Sequence, residues 1–444
     1  MSARRIAVAV SGGRDSTALW HATARAAAAM SPTPEVIGLH VHHGLHERAD
    51  AWLAHLQRQA RRWAGKGLPV SLDWRKVQGR PARGDSIEAW ARHERYAALG
   101  DMARAAGIDT VLLGHHQQDQ AETFLLQALR GAGPAGLAAM PERAVRDGIE
   151  WLRPWLAQPV RAIEHYVRRH RLGHIEDPSN HDLTFARSRL RTKVLPLFIE
   201  HFEQAVPSLC ASAARAQEAQ QCQLELARID LATLCPDGGE FRVDPWLALS
   251  PARRGNALRH WLSDALPQGV PHTLLRRLQI ELTQAQVARW PVAGAELRLY
   301  DARLSLAAID EAVNEPPATL CVDLSRPGKH PVPEWGGAFE VSAVDRHGLA
   351  PHRLAECGLR ARAGGEDFQR TVASLPRSLK KQYQAARVPQ WSRTGPLVFT
   401  STDLLFVPAL GIDARRHAPA GQPALQLRWV PGASVPDGAA GARR

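Results

Sequence analysis

The chain has 444 residues, room for two or three domains, and 45% of them are apolar, enough to bury proper cores. Its apolar stretches fall far short of the roughly 20 residues a membrane span needs, and Met1–Arg5 lead into a strand-like run instead of a signal-peptide core, so a soluble, cytoplasmic protein with no membrane partner is expected. The formal net charge of +12 favours a polyanionic partner, nucleic acid foremost, with a generic Arg-rich surface as the bland alternative.

Ile6–Val10 reads as a first strand and Ser16–Met30 as an Ala-rich helix. Val36–Val41 is a second strand, and Asp50–Ala64 a helix with Trp52, Leu53, Leu56, Ala60 and Trp63 on one face. Val70–Val77 is a third strand. Asp85 is placed to cap a helix to Ala106, with Glu88 three residues on. Thr110–Leu113 is a fourth strand, followed by a helix over Ala121–Leu129. Such alternation predicts an α/β domain, a doubly wound parallel sheet with helices on both faces. Ligands of these sheets sit outside the carboxyl ends of the strands.

Ile149–Leu152 is a fifth strand, and Pro159 suits the first residue of a helix to Arg171. Gln204–Leu234 has no strand signal and reads as a long connecting helix. Beyond it, Pro251–Leu266 and His272–Thr283 are helical, with a strand pair near Glu296–Leu306. The prolines of Asn314–Pro333 mark a boundary, Arg360–Val430 is a small mixed α+β domain, and the Gly/Ala-rich tail after Pro431 is expected to be disordered. The expected division is 1–205 catalytic, 206–315 mostly helical and substrate-binding, 355–430 C-terminal, and 431–444 tail.

The loop Ser11-Gly12-Gly13-Arg14-Asp15-Ser16 joins the first strand to its helix. Two glycines let the backbone turn tightly and approach a phosphate. Backbone N–H groups and the helix N-terminus supply positive potential for an anion, and the Ser11 and Ser16 hydroxyls add donors. The common P-loop spacing with its Lys is missing, and so is G-x-G-x-x-G. The alternative is an ordinary Gly-rich turn. None of the five cysteines, Cys210, Cys222, Cys235, Cys321 and Cys357, stands in a C-x-x-C pair, so neither a disulfide framework nor a zinc knuckle is expected.

The hexapeptide resembles the SGGxDS signature of the PP-loop ATP pyrophosphatases, which implies a sheet of the adenine nucleotide alpha hydrolase-like type. Members cleave ATP between its α- and β-phosphates, transfer AMP to a substrate oxygen and release pyrophosphate. Further motifs narrow the choice. They are His40-Val41-His42-His43-Gly44-Leu45-His46, Glu88–Tyr96, Leu113-Gly114-His115-His116 running on to Asp119 and Glu122, Arg130–Gly133, Arg153-Pro154-Trp155-Leu156, Asp177-Pro178-Ser179-Asn180 and Arg187–Arg191. Arg362–Glu366, Ser378–Lys381 and Pro389–Arg393 come near the C-terminus. In this order they resemble the tRNA(Ile)-lysidine synthetase family. The resemblance implies two steps: ATP adenylates O2 of the wobble cytidine of a tRNA(Ile) with a CAU anticodon, and the ε-amine of free L-lysine then displaces AMP at C2. It also implies ATP with Mg2+; a homodimer is one expected form.

The residues make sense against that chemistry. A desolvated ammonium must be paired, and Asp119 and Glu122, three apart, share one helix face. By resemblance they contact lysine and the magnesium–ATP end of the site; a helix-capping pair is the alternative. His40, Gly114 and His115 are expected to line the nucleotide pocket, and zinc at His115 and His116 is disfavoured for want of a third ligand. Negative charge developing on the phosphates calls for fixed guanidinium groups. Arg187, Arg189 and Arg191 alternate, and by resemblance one of them reaches the α-phosphate, which one the sequence leaves open; Arg189 is expected to be catalytic, with Arg187 and Arg191 on the substrate. An RNA-backbone face is the other reading. Asp15 is expected to hold a loop amide or Mg2+. Arg92 and Arg95 are read either as an ion pair with Glu88 or as functional. Downstream, Lys380 and Lys381 among scattered arginines suit a large folded RNA, and Trp246, Trp261 and Trp391 are stacking candidates or core. The rival functions are a PP-loop tRNA thiolase, disfavoured because no cysteine precedes residue 200, and a non-catalytic tRNA-binding protein.

Overall fold

The computed structural model describes residues 5–42, 44, 47–77, 79, 87–177, 182–236, 238–266, 269–292, 294–308 and 319–431. His43, Leu45, His46, the Asp85 cap, Pro178–Asn180, residues 314–318 and the tail from residue 432 lie outside them.

The chain divides into two units, Met1–Glu225 and Leu226–Arg444. The first carries β1 (Arg5–Ala9), α1 (Arg14–Ala28), β2 (Glu35–His42), α2 (Ala49–Ala64), β3 (Val70–Lys76), α3 (Ile87–Ala105), β4 (Thr110–Leu112) and α4 (Gln117–Leu129). Next come α5 (Pro134–Leu137), β5 (Arg143–Arg146), β6 (Ile149–Leu152), α6 (Val160–His170), α7 (Ala186–Arg189), a π-helical turn Leu190–Val194, α8 (Leu195–His201) and the long α9 (Ala205–Leu234). One six-stranded sheet runs β3-β2-β1-β4-β6-β5. All its pairings are parallel except β5–β6. Pro159 is the residue before α6, in extended conformation, and not its first helical residue.

Two apolar layers explain the doubly wound form. On one face Trp20, Leu56, Trp63, Ile163 and Val167 from α1, α2 and α6 close over Val8, Val10 and Val36. On the other, Leu99, Met102 and Ala103 of α3 close over Leu39, Val111 and Trp151. Trp20 is fully buried, so truncating it to Ala should cost ~3–5 kcal/mol. Burying both faces leaves the strands' carboxyl ends as the place where β1, β2 and β4 present polar loops.

The second unit holds the helices Val243–Leu247, Pro251–Ala265 and His272–Glu281 beside a four-stranded antiparallel sheet. That sheet, Phe241–Arg242, Arg303–Ala308, Ala295–Tyr300 and Val287–Val292 in spatial order, is twice the expected strand pair. Trp246 is fully buried in its core with Nε1 donating 2.9 Å to the Arg254 carbonyl, so it is a core residue. Trp261 packs against Phe241, and Trp391 sits between the Arg289 and Arg298 guanidinium groups. The C-terminal strands form a five-stranded, a three-stranded and a two-stranded sheet. Leu320–Val322 pairs with Cys357–Arg360, and Gly337–Val344 with Ala424–Pro431, so these sheets recruit residues well before 355. Among the described residues no helix is long and apolar enough to cross a membrane.

Candidate active site

The Gly-rich loop is built by its own hydroxyls. Ser16 Oγ accepts from the Ser11 N–H at 3.2 Å and donates to the Gly13 carbonyl at 3.1 Å, and Ser11 Oγ accepts from the Gly13 N–H at 3.3 Å. Thr17 Oγ1 donates to the Gly12 carbonyl at 3.2 Å. Gly12 has φ +92°, a left-handed conformation, and a Cβ there would collide with Ile175. The same residue ties down the far side of the loop, its N–H donating 2.8 Å to the Gly12 carbonyl. A Cβ on Gly114, after β4, would come within 3.1 Å of Ser16 N and Cα, so glycine lets the end of β4 meet the first turn of α1.

Arg14 turns away from the loop's mouth, donating to Asp15 Oδ1 at 2.8 Å and Glu164 Oε1 at 2.7 Å. Burial alone would raise the Asp15 pKa; the neighbouring His116 and the hydrogen-bonded Arg14 overcome it and hold the carboxyl at about 2. His116 is the joint between this loop and α4, its Nε2 lying 3.6 Å from Asp15 Oδ2 and 3.4 Å from Asp119 Oδ2.

Asp119 caps α4, accepting from the His116 N–H at 3.1 Å, so the capping role considered for it is real. Its other oxygen is held by Arg187 Nη2 at 3.1 Å and Arg191 Nη2 at 2.9 Å. Glu122 is completely buried. Arg191 Nε reaches its Oε1 at 2.7 Å, while Arg187 Nε and Arg191 Nη2 reach Oε2 at 3.0 and 2.7 Å. Two carboxylates and two guanidinium groups thus form a closed, formally neutral quartet. Burial pushes the Asp119 pKa up, but His116, Arg187, His115 and Arg191 pull it below the usual carboxylate range.

Arg189, expected to be catalytic, is not in the quartet. It is exposed and donates to the carbonyls of Leu183 and Thr184 at 2.8 and 2.7 Å. Alternation in sequence suggested three equivalent arginines, but the segment is helical. Residues four apart share a face and the one between lies nearly opposite, so 187 and 191 meet the acids and 189 does not.

His40 is buried with Nδ1 2.8 Å from the Val10 carbonyl, and burial, offset in part by that bond, lowers its pKa. His115 is pushed down to about 3, by burial first and then by Arg153, Arg187 and Arg92 against the opposing pull of Asp119. Its Nδ1 is buried with no hydrogen-bond partner. Arg95 is half-buried; burial first, then its neighbours Arg92 and Arg187 against the opposing pull of Tyr96, lower its pKa. Sequence reading left Arg92 and Arg95 undecided; Arg95 lies in the field of two like charges, Arg92 and Arg187, and the Glu88 side chain lies outside the described ones. That reading passed over Ile175, His116 as the joint, and Glu164. Lys380 and Lys381 are exposed on Leu379–Ala385 in the second unit.

Comparison with known proteins agrees with this geometry. Residues 1–198 match the PP-loop domain, 241–305 the TilS substrate binding domain and 357–429 the TilS substrate C-terminal domain. The chain is 38% identical over 441 residues to the tRNA(Ile)-lysidine synthase of Ralstonia nicotianae, covering 96% of this chain and 92% of that protein. It is 36% identical to that of Burkholderia mallei, covering 96% and 93%, and 31% identical to that of an Enterobacter species, covering 96% of each. The chain belongs to the tRNA(Ile)-lysidine synthase family.

Proposed function

We propose that this chain is a ligase that forms a carbon–nitrogen bond, joining L-lysine to C2 of the wobble cytidine in the CAU anticodon of tRNA(Ile) at the expense of ATP. AMP and pyrophosphate leave, the product reads AUA in place of AUG, and the tRNA changes identity from Met to Ile. One observation carries the reading: the quartet Asp119–Glu122–Arg187–Arg191 stands beside a phosphate-type loop, joined to it by His116. Its two halves suit the two reactants, guanidinium groups for the phosphates of ATP and carboxylates for a cationic nucleophile.

The residues divide the work. The amides and hydroxyls of Ser11–Ser16 hold the nucleotide's phosphates. Arg95, beside Arg92 and Arg187, supplies positive charge where negative charge grows during adenylation. Neutral His115 lines the pocket without adding a competing charge. Asp119 and Glu122 receive lysine's ammonium once Arg187 and Arg191 turn to phosphate. Mg2+ bound with ATP needs one or two carboxylates besides the phosphates; Asp15, ionised at neutral pH, is the loop carboxylate that fits, and the ion would offset phosphate charge. The chemistry belongs to residues 1–205, with tRNA held by 206–315 and 355–430, the exposed Lys380 and Lys381 included.

The test mixes the protein with ATP, L-lysine and a tRNA(Ile) transcript bearing CAU. Pyrophosphate release and the mass of lysidine at the wobble position are expected. Release of no pyrophosphate, or an unmodified nucleotide, would overturn the reading.

A further inference from the structure

Helix α8 and the segment before it leave an apolar surface uncovered. Of α8 only Leu195 is buried among its apolar residues; Leu197, Phe198 and Ile199 are exposed at 55%, 37% and 46%. Val194 before it and Phe202 after it are exposed at 39% and 65%, and Phe185 stands exposed ahead of α7. Scattered exposed apolar residues are ordinary, but a run this dense marks a contact surface.

What the run would contact is set by its neighbours. Ile199 belongs to the patch and also lines a cleft of about 440 Å³ together with Gln118, Arg191 and Glu200. Arg191 is a member of the quartet, so the apolar surface continues into the reaction centre. Arg189 and Lys193 are exposed on the segment that leads into α8. Glu200 and Glu203 are also exposed, toward the end of the segment. Exposed rings interleaved with cations beside a site are how proteins hold unpaired bases, because every base has a face to stack and a phosphate to neutralise.

We propose that α8 with Phe185, Phe198 and Phe202 is a stacking platform for unpaired anticodon-loop bases next to the reacting cytidine, with Arg189 and Lys193 on the adjoining phosphates. The inference rests on the reaction proposed above. Arg189 then acts as a positioning residue: its two bonds to the Leu183 and Thr184 carbonyls hold the segment that carries Phe185.

The test places 2-aminopurine beside the wobble position of the transcript and measures its quenching on the full-length protein, along with KM for tRNA, lysine and ATP. Phe198→Ala and Phe202→Ala are each expected to raise KM for tRNA about 10- to 100-fold. Lysine and ATP constants should stay within roughly twofold, as neither ligand meets the rings. Phe202→Leu keeps the apolar surface but not the ring and should lose the quenching too. Melting temperatures should hold, since the rings are exposed. Wild-type quenching and tRNA KM in all three variants would overturn the platform. So would variants whose only change is dissociation of a dimer, which would make this face an interface between copies. If the unaltered chain forms no lysidine, the reaction fails, and quenching alone decides the platform.

Discussion

Arg191 grips Glu122 through two parallel bonds, Nε to Oε1 and Nη2 to Oε2, each 2.7 Å long. This fork on a buried carboxylate cannot be copied by an ammonium. Arg191→Lys is therefore expected to lower kcat roughly 100-fold, read from steady-state lysidine formation. Glu122→Ala leaves two guanidinium groups facing each other and should cost about 3 kcal/mol of stability by urea unfolding.

The same closure bears on the order of binding. With every carboxylate oxygen of the quartet already paired, lysine alone meets no available acid. Phosphate offers the arginines a substitute partner. Titration calorimetry should show lysine binding at least about tenfold more tightly once a non-cleavable ATP analogue and tRNA are present, a coupling on the order of 1.4 kcal/mol. Equal lysine affinity with and without them would refute the exchange.

Asp15 gives a pH signature. Its folded pKa, about 2, lies below the ordinary 3.8. A depressed carboxyl contributes stability that is complete above the unfolded value and is lost as pH falls from 3.8 through about 2. Asp15→Asn should flatten the stability curve across that window, measured as urea midpoints. It should also abolish adenylation while leaving tRNA binding intact.

Arg95 separates stability from activity. Removing a half-buried cation held beside the like charges of Arg92 and Arg187 relieves desolvation and repulsion, so Arg95→Met should leave the melting temperature unchanged or higher. Pyrophosphate release should nonetheless fall by roughly 100-fold. A large drop in melting temperature would show that Arg95 is structural.

Gly114→Ala tests the contact between the end of β4 and the first turn of α1. A methyl 3.1 Å from Ser16 N and Cα meets backbone, which yields little. The loop must shift by a few tenths of an ångström, raising KM for ATP about tenfold with a stability loss of ~1 kcal/mol.

The α/β alternation was legible because β1, β2, β4 and β6 are short apolar runs and α2 carries its buried stripe at helical spacing. The loop and the acid pair were legible because their chemistry is local. Strand β5, Arg-Ala-Val-Arg, was not, since its pairing with β6 is an edge hairpin with nothing apolar to repeat. Nor could sequence rank the three arginines. That needed the helical path of Ala186–Val194, and the spacing alone fits a strand equally well. Ile175 and Glu164 were invisible because their partners lie 150 or more positions away in the chain.

The π-helical turn Leu190–Val194 sets the rotational phase of α8. A π turn holds one residue more than an α turn, and each residue advances a helix by about 100°. Deleting Thr192 should restore an α turn and rotate α8 by that amount, swinging Ile199 out of the cleft while Arg187 keeps its grip on Glu122. One residue of chain length thus couples the reaction centre to the direction in which its neighbouring surface looks.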